Sequence, residues 1–170
     1  LKPHFYPTDT LTLDAKGMEL KKVALVKGTQ QIPLKYEYDE LNLRIKLDRT
    51  YKSTESYTIY IDYTAKPDEY DEKYGQGAML GIKGMYFINP LGEEKDKPTQ
   101  IWTQGETESN SAWFPTIDKT NQKTTQELSV TVDNKYVTLS NGKMVTQKKN
   151  TDGTRTDTWK MDLPHAPYLF

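Results

Sequence analysis

Apolar and polar residues alternate with a period of two along several stretches of the chain, and this alternation limits the folds that it can adopt. Leucine or isoleucine stands at every second position of residues 41–47, and segments 57–63 and 128–132 repeat the pattern. Successive side chains of a strand point to opposite faces, so each stretch predicts a strand with one buried and one solvated face. The sequence contains no amphipathic helix of three turns. We therefore predict an all-β fold of antiparallel sheets, as in a sandwich, forming a single domain over residues 1–170.

Turn signals separate these strands and indicate antiparallel hairpins. The tetrapeptide Ser-Asn-Gly-Lys at 140–143 is typical of a type I′ turn, because Asn-Gly readily adopts positive φ at both central positions. Other hairpin turns are expected at 27–30, 38–40 and 150–153, and weaker strands at 10–13, 20–26, 32–38, 79–88, 100–103, 136–140, 143–147 and 154–163.

Three segments lack a strand pattern. Residues 106–114 are the only segment that we predict to form a short helical turn. The charged segments 66–77 and 92–98 could in principle hold a metal ion, but neither has the regular ligand spacing of a calcium loop. We interpret both as solvated surface connections.

Composition excludes several classes of function. Lys and Arg number 23 and Asp and Glu 24, a balance that argues against a nucleic-acid partner. Cysteine is absent, which excludes disulfides, and no apolar run reaches the roughly 18 residues of a membrane helix. The two histidines, His4 and His165, stand far apart in the sequence, and no H-E-x-x-H, phosphate-binding glycine loop or nucleophile elbow occurs. We predict no catalytic residue and no metal site in this chain, and the compartment stays open.

Aromatic residues are abundant, with 12 Tyr, 4 Phe and 3 Trp. Trp102, Trp113 and Trp159 could stack on sugar rings, or they could fill the core of a domain that has few aliphatic residues. Trp159 follows the alternation of its predicted strand, and we therefore assign it to the core.

The segment 100–118 is the least ordinary part of the sequence. A predicted strand runs directly into Gly105, which is followed by Glu106 and Glu108. A glycine at the end of a strand indicates that the backbone passes close to another group, and a carboxylate at the rim of a sheet can bind an amine or a cation. The same carboxylate can also be an ordinary exposed acid.

Several blocks of sequence resemble, in order, the aminopeptidase N family of zinc metallopeptidases. They are G-M-Y-F-I-N-P at 84–90, Q-I-W-T-Q-G-E at 100–106, W-F-P-T-I-D at 113–118, L-S-V-T-V at 128–132, S-N-G at 140–142, D-G-T-R-T at 152–156 and W-K-M-D-L-P-H-A-P-Y-L at 159–169. The resemblance covers residues 57–170, whereas residues 1–56 share only a compatible strand pattern.

This resemblance implies a saddle-like β domain that precedes a thermolysin-like catalytic domain. In the family, the catalytic domain carries a G-x-M-E-N strand and an H-E-x-x-H zinc motif, and neither motif occurs in this sequence. The resemblance therefore implies a non-catalytic domain, truncated at both ends, that contacts a downstream catalytic domain. Zinc is the cofactor of that missing domain, and peptide N-termini are the substrate.

The family motif T-Q-x-E matches residues 103–106, so the resemblance implies two substrate-binding residues. Glu106 would bind the free α-amine of the substrate, and Gln104 would line the pocket for its first side chain. Glu108 is a second carboxylate candidate, but the register of the motif favours Glu106. The sequence departs from the family at Thr116, where a cysteine is common, and at Thr120, where a proline is common, which leaves the shape of the following loop open.

Two alternatives remain at this point. The chain could be a free-standing β-sandwich module that binds a glycan or a protein, which would need an exposed aromatic platform. It could also be the same domain in a relative that has lost peptidase activity, and the sequence beyond residue 170 would decide between these cases.

Overall fold

The computed structural model describes residues 1–76 and 81–170, and these residues form an antiparallel all-β fold, which confirms the predicted fold class. Its strands are β1 (Thr8–Asp14), β2 (Met18–Lys27), β3 (Gln30–Pro33), β4 (Tyr36–Tyr38), β5 (Asn42–Tyr51), β6 (Thr58–Ala65), β7 (Met85–Ile88), β8 (Gln100–Thr103), β9 (Thr124–Asp133), β10 (Lys143–Lys149) and β11 (Thr154–His165). They pair in the orders β1-β5-β4, β3-β2-β6, β10-β11-β9 and β7-β8.

The hydrophobic core contains residues from the sheets β1-β5-β4 and β3-β2-β6. Leu43, Ile45 and Leu47 on β5 are at most 4% exposed and alternate with exposed residues, as the period of two predicts. Val23 and Leu25 on β2 belong to the same buried cluster. Burial of one such side chain contributes about 1.5–3 kcal/mol, and the cluster contains several from each sheet. Apolar packing within this cluster therefore holds the two sheets together.

The predicted hairpin turns at 27–30, 38–40 and 150–153 are confirmed. They connect β2 to β3, β4 to β5 and β10 to β11, and each hairpin is antiparallel. Gly28, Glu40 and Gly153 adopt positive φ in these turns, as tight hairpin connections often require.

The strand predicted at 136–140 is wrong. This segment crosses the face of the sheet β10-β11-β9 and bonds to it through side chains. Thr138 donates a hydrogen bond to Asp157 (Oγ1 to Oδ2, 2.6 Å), and Gln126 donates one to Ser140 (Nε2 to Oγ, 3.2 Å). Alternation therefore predicts the spacing of these side chains correctly, but their partners lie on the face of a sheet instead of at its edge.

The type I′ turn predicted at 140–143 is also wrong. Gly142 has a φ of 88°, whereas Asn141 does not adopt a left-handed conformation. Gly142 lies directly against β11, where an added Cβ would come within 2.5 Å of the carbonyl carbon of Lys160. Close packing against the sheet determines this backbone, and no hairpin forms.

Arg155 and Asp157 hold the crossing segment on the sheet. The guanidinium donates to both carboxylate oxygens of Asp157 (2.8 and 2.9 Å) and to the carbonyl oxygen of Tyr136 (2.8 Å). Trp159 donates from Nε1 to Thr138 Oγ1 (3.0 Å) and is 8% exposed, which confirms its assignment to the core.

Strand β10 lies at one edge of the sheet β10-β11-β9, and all of its residues are exposed.

The loop predicted at 66–77 is wrong over most of its described length, because it contains helix α1 (Pro67–Tyr74). Its last residue lies outside the described residues. Proline at the first helical position and acidic residues in the first turn are known helix-start signals, and the sequence has both. Tyr70 is buried and fixes this short helix against the sheets. Within the described residues, no helix is long and apolar enough to cross a membrane.

The other predictions for irregular segments have mixed outcomes. A 3-10 helix at Asn110–Ala112 confirms the helical turn predicted within 106–114, and residues 92–98 form the expected exposed connection. The strand predicted at 79–88 begins only at Met85, and its first two residues lie outside the described residues.

Leu43→Ala is expected to lower the free energy of unfolding by about 2–5 kcal/mol, because it removes a fully buried side chain and leaves a cavity in the core. Leu163→Ala, at a side chain that is 70% exposed, should change it by less than about 0.5 kcal/mol. Urea unfolding followed by tryptophan fluorescence measures both variants. Equal losses would contradict the position of the core.

Acid should weaken the contribution of Asp157 to stability. The hydrogen bond from Arg155, followed by that from Thr138, lowers the pKa of Asp157 from 3.8 to about 2. A carboxyl group whose pKa is lowered on folding contributes stability above its unfolded pKa, and this contribution is lost as the pH falls through the folded pKa. We expect the stability difference between the native chain and Asp157→Asn to be largest above about pH 4 and to shrink toward about pH 2. Urea unfolding across this range measures it, and a difference independent of pH would contradict the prediction.

Candidate functional site

The candidate site begins where β8 ends, and its backbone is fixed by close contacts with the segment before β7. Thr103 is paired with Met85 in the ladder, and Gln104 continues this pairing by donating from its backbone N to the carbonyl oxygen of Gly84 (2.9 Å). Gly84 has a φ of 66°, and an added Cβ would lie 2.8 Å from the carbonyl carbon of Ser109. Only glycine fits there, because two backbone segments meet.

The chain turns back on itself immediately after Gln104. Ser109 donates from its backbone N to the carbonyl oxygen of Gly105 (3.0 Å). Gly105 is buried, and an added Cβ would lie 2.6 Å from Cγ of Asn110. This contact confirms the expectation that the backbone passes close to another group at this glycine. The buried side-chain amide of Asn110 thus packs directly against the backbone of the turn that carries Glu106.

The two glutamates of the turn have different surroundings. Glu106 is exposed, and its carboxylate has no hydrogen bond or ion pair with any residue that the structure describes. Glu108 forms an ion pair with Lys119 (Oε2 to Nζ, 2.6 Å), and its carbonyl oxygen accepts a hydrogen bond from Lys16 Nζ (2.6 Å). The bond to Glu108 raises the pKa of Lys119. Of the two carboxylates, Glu106 is therefore the one available to an external cation.

Asp118 anchors the far end of the segment. Its carboxylate accepts a hydrogen bond from the backbone N of Ser111 (2.8 Å), and its own backbone N donates to Asp14 Oδ2 (2.9 Å). Asp14 and Thr116 also exchange two backbone hydrogen bonds of 2.7 and 3.0 Å. Ser111 Oγ and Asp118 Oδ1 are buried without a hydrogen-bond partner among the described residues. The site segment is thereby attached to the end of β1.

The C-terminal residues 166–170 contact both sides of the turn. Thr103 donates from Oγ1 to the carbonyl oxygen of Phe170 (3.0 Å), and Asn110 donates from Nδ2 to that of Pro167 (2.5 Å). The rings of Phe114 and Phe170 pack with their centroids 4.8 Å apart. Sequence reasoning did not identify Asn110 or these contacts, because nothing in the local pattern links residues 110 and 167.

The tryptophans near the site have different roles. Trp113 donates from Nε1 to Asn110 Oδ1 (2.8 Å) and meets Phe114 edge-on, so it stabilises the turn. Trp102 is 46% exposed and stacks on Tyr86 with the ring centroids 4.6 Å apart. Trp102 alone of the three tryptophans presents an exposed aromatic surface.

The described residues offer no set of zinc ligands. Among residues 1–76 and 81–170, no group of three or more His, Asp or Glu side chains could hold a metal ion. His165 is 9% exposed and lies between the carbonyl oxygen of Leu163 and Oε1 of Gln126, each 2.9 Å from a ring nitrogen. Both ring nitrogens of His165 are thus engaged by other groups of the described structure.

Solved structures share this fold. A zinc metallopeptidase variant from Deinococcus radiodurans superimposes with a TM-score of 0.74 at 16% identity, covering 96% of this chain and 33% of that protein. The Legionella pneumophila aminopeptidase A superimposes with a TM-score of 0.69 at 22% identity, covering 96% of this chain and 17% of that protein. This chain therefore spans a third or less of the length of these two proteins. No curated protein matches it by sequence.

A sequence profile of the family described as the peptidase M1 N-terminal domain matches residues 2–169, which is nearly the whole chain. The chain belongs to the peptidase M1 N-terminal domain family.

Proposed function

We propose that this chain is the N-terminal domain of a zinc-dependent metalloaminopeptidase, in which Glu106 and Gln104 help to bind the N-terminus of a peptide substrate. The observation that carries the proposal is the state of Glu106. Its carboxylate is exposed and unpaired among the described residues, yet it stands on a turn whose backbone is held by Gly84, Gly105 and Asn110. A free anion on a fixed support is a suitable receptor for a substrate ammonium group.

The chemistry of an ammonium group explains how such a carboxylate would select N-termini. A hydrogen bond between two charged groups contributes roughly 1.5–3 kcal/mol, more than a neutral one. The contribution increases when water is excluded, so a second domain that covers Glu106 would strengthen it. Gln104, which is half-buried at the end of the ladder, would line the pocket for the first side chain. Together the two residues would orient the first peptide bond of the substrate.

Related structures contain ligands of this kind. One structure of the Deinococcus radiodurans enzyme is bound to a Tyr-Ser-Ala substrate, and the Legionella pneumophila enzyme is in complex with aspartic acid. Both ligands carry a free α-amine. For this chain we propose the same class of ligand, with zinc and the catalytic residues supplied by a downstream domain and none by residues 1–170.

One observation favours a second candidate function. The exposed Trp102, stacked on Tyr86, forms a flat aromatic surface of the type that sugar rings bind. A free-standing module would bind an oligosaccharide there without a second domain. Quenching of tryptophan fluorescence by an oligosaccharide, abolished by Trp102→Ala and retained in Glu106→Ala, would support this alternative.

Removal of zinc should abolish activity only where the catalytic domain is present. We expect the full-length protein that contains this chain to hydrolyse an aminoacyl chromogenic substrate, to lose that activity with a metal chelator and to regain it with added zinc. The 170-residue chain alone should be inactive under all three conditions. Activity of the isolated chain would contradict the proposal, and an inactive full-length protein would indicate a relative without peptidase function.

Glu106→Ala in the full-length protein should lower kcat/KM for substrates with a free N-terminus. The loss should correspond to about 2–4 kcal/mol of transition-state stabilisation, because one partner of a desolvated charge pair is removed. Steady-state hydrolysis of an aminoacyl substrate measures the loss.

Glu108→Ala is the matched control for this prediction. It removes the same group two residues away, from an ion pair with Lys119 that remains partly exposed to solvent. We expect less than about a fivefold change, the range of an exposed ion pair. A loss below about tenfold for Glu106→Ala, or an equal loss for both variants, would refute the assignment of Glu106.

A further inference from the structure

The side chain of Asn110 is fully buried, and both arms of its amide are engaged. Nδ2 donates to the carbonyl oxygen of Pro167 (2.5 Å), and Oδ1 accepts the hydrogen bond from Trp113 Nε1 (2.8 Å). An amide is needed for this pair of contacts, since it presents a donor and an acceptor on opposite arms. A carboxylate would place an oxygen against the carbonyl of Pro167. Alanine would leave Trp113 Nε1 without its acceptor, and the carbonyl oxygen of Pro167 would keep only the hydrogen bond from the backbone N of Phe170 (3.0 Å).

The same side chain lies against the backbone that precedes Glu106. An added Cβ on Gly105 would come within 2.6 Å of Asn110 Cγ, so the amide lies directly against this peptide unit. Residues on both sides of the turn are also connected to the C-terminal segment, Thr103 through its bond to Phe170 and Asn110 through its bond to Pro167. These two hydrogen bonds, together with the packing of Phe114 on Phe170, therefore help to set the position of Glu106 relative to residues 166–170.

We propose that Asn110 is a positioning residue for amine recognition, which fixes Glu106 relative to the segment 166–170. The inference rests on the proposed function, in which the chain continues from this segment into the catalytic domain that binds the rest of the substrate. A carboxylate recognises an ammonium group only within hydrogen-bond reach, and a displacement of about 1 Å is enough to weaken both binding and orientation. Asn110 itself is buried and does not touch the substrate.

Inhibition of the full-length protein by two ligands tests this role. One ligand is an amino acid hydroxamate with a free α-amine, and the other is the same hydroxamate without the amine. For Asn110→Ala we expect the inhibition constant of the first to rise at least about tenfold and that of the second to change less than about twofold. Thr103→Val, which is nearly isosteric and removes the neighbouring bond to Phe170, should give a smaller shift in the same direction. This variant keeps the test valid if Asn110→Ala does not fold.

Asn150→Ala is the matched control. Asn150 is a partly buried asparagine that bonds to Thr154 and Thr156 in the β10-β11 hairpin, so its loss removes similar hydrogen bonds from another sheet. Neither inhibition constant should change by more than about twofold in this variant. An equal rise of both constants in Asn110→Ala, or no rise in either, would overturn the inference.

A double-mutant cycle separates this inference from the proposed function. If Asn110 acts through Glu106, Asn110→Ala should add little once Glu106→Ala is present. If Glu106→Ala does not distinguish the two hydroxamates, both the proposed function and the inference fail. If Glu106→Ala distinguishes them but Asn110→Ala and Thr103→Val do not, only the positioning role fails. Full additivity of the two alanine variants would likewise overturn the positioning role.

Discussion

The reciprocal backbone pairing of Asp14 with Thr116 joins the sheet β1-β5-β4 to the candidate site, and the site geometry depends on it. Through this antiparallel pair, reinforced by the hydrogen bond from the Asp118 backbone N to Asp14 Oδ2, the segment after β8 is attached to the last residue of β1. The strand itself is held by the core. The support of the exposed Glu106 therefore reaches back, through hydrogen bonds, to apolar packing far from it.

Glu106 and Glu108 show how one short turn can give two identical side chains different properties. Glu108 is neutralised by Lys119, and its carbonyl is held by Lys16, so it stabilises the turn. Glu106 has neither kind of contact within the described residues, and it keeps its charge available for an external partner. An unpaired charge destabilises the fold little while it is hydrated. Its attraction for a cation becomes strong only when another molecule or domain removes the water.

Much of the fold could be predicted from the sequence because strand periodicity is a local property. Strands β5, β6 and β9 and three hairpin turns follow from alternation and turn residues. The segment 136–140 shows where this reasoning fails, since its alternating polar residues pair with a sheet face that local pattern cannot identify. Helix α1 is not predicted, although Pro67 and the acidic first turn signal a helix start, because the high charge of the segment is typical of a surface connection.

For the site, the family motif indicates Gln104 and Glu106 but not what supports them. The roles of Asn110 and Asp118 depend on partners 57 and 104 residues away, Pro167 and Asp14, which no local pattern reveals. The two residues that we assign to substrate binding stay a prediction, whereas the contacts that support them are part of the described structure.

The edge strand β10 carries three lysines, Lys143, Lys148 and Lys149, on a strand whose seven residues are all exposed. Among the described residues its outer backbone groups pair with no other strand, so they could accept a strand from another molecule. Two such edges would bring six positive charges together, and the repulsion would oppose their approach. The charge of these lysines thus opposes strand-to-strand aggregation at the exposed edge of the sheet.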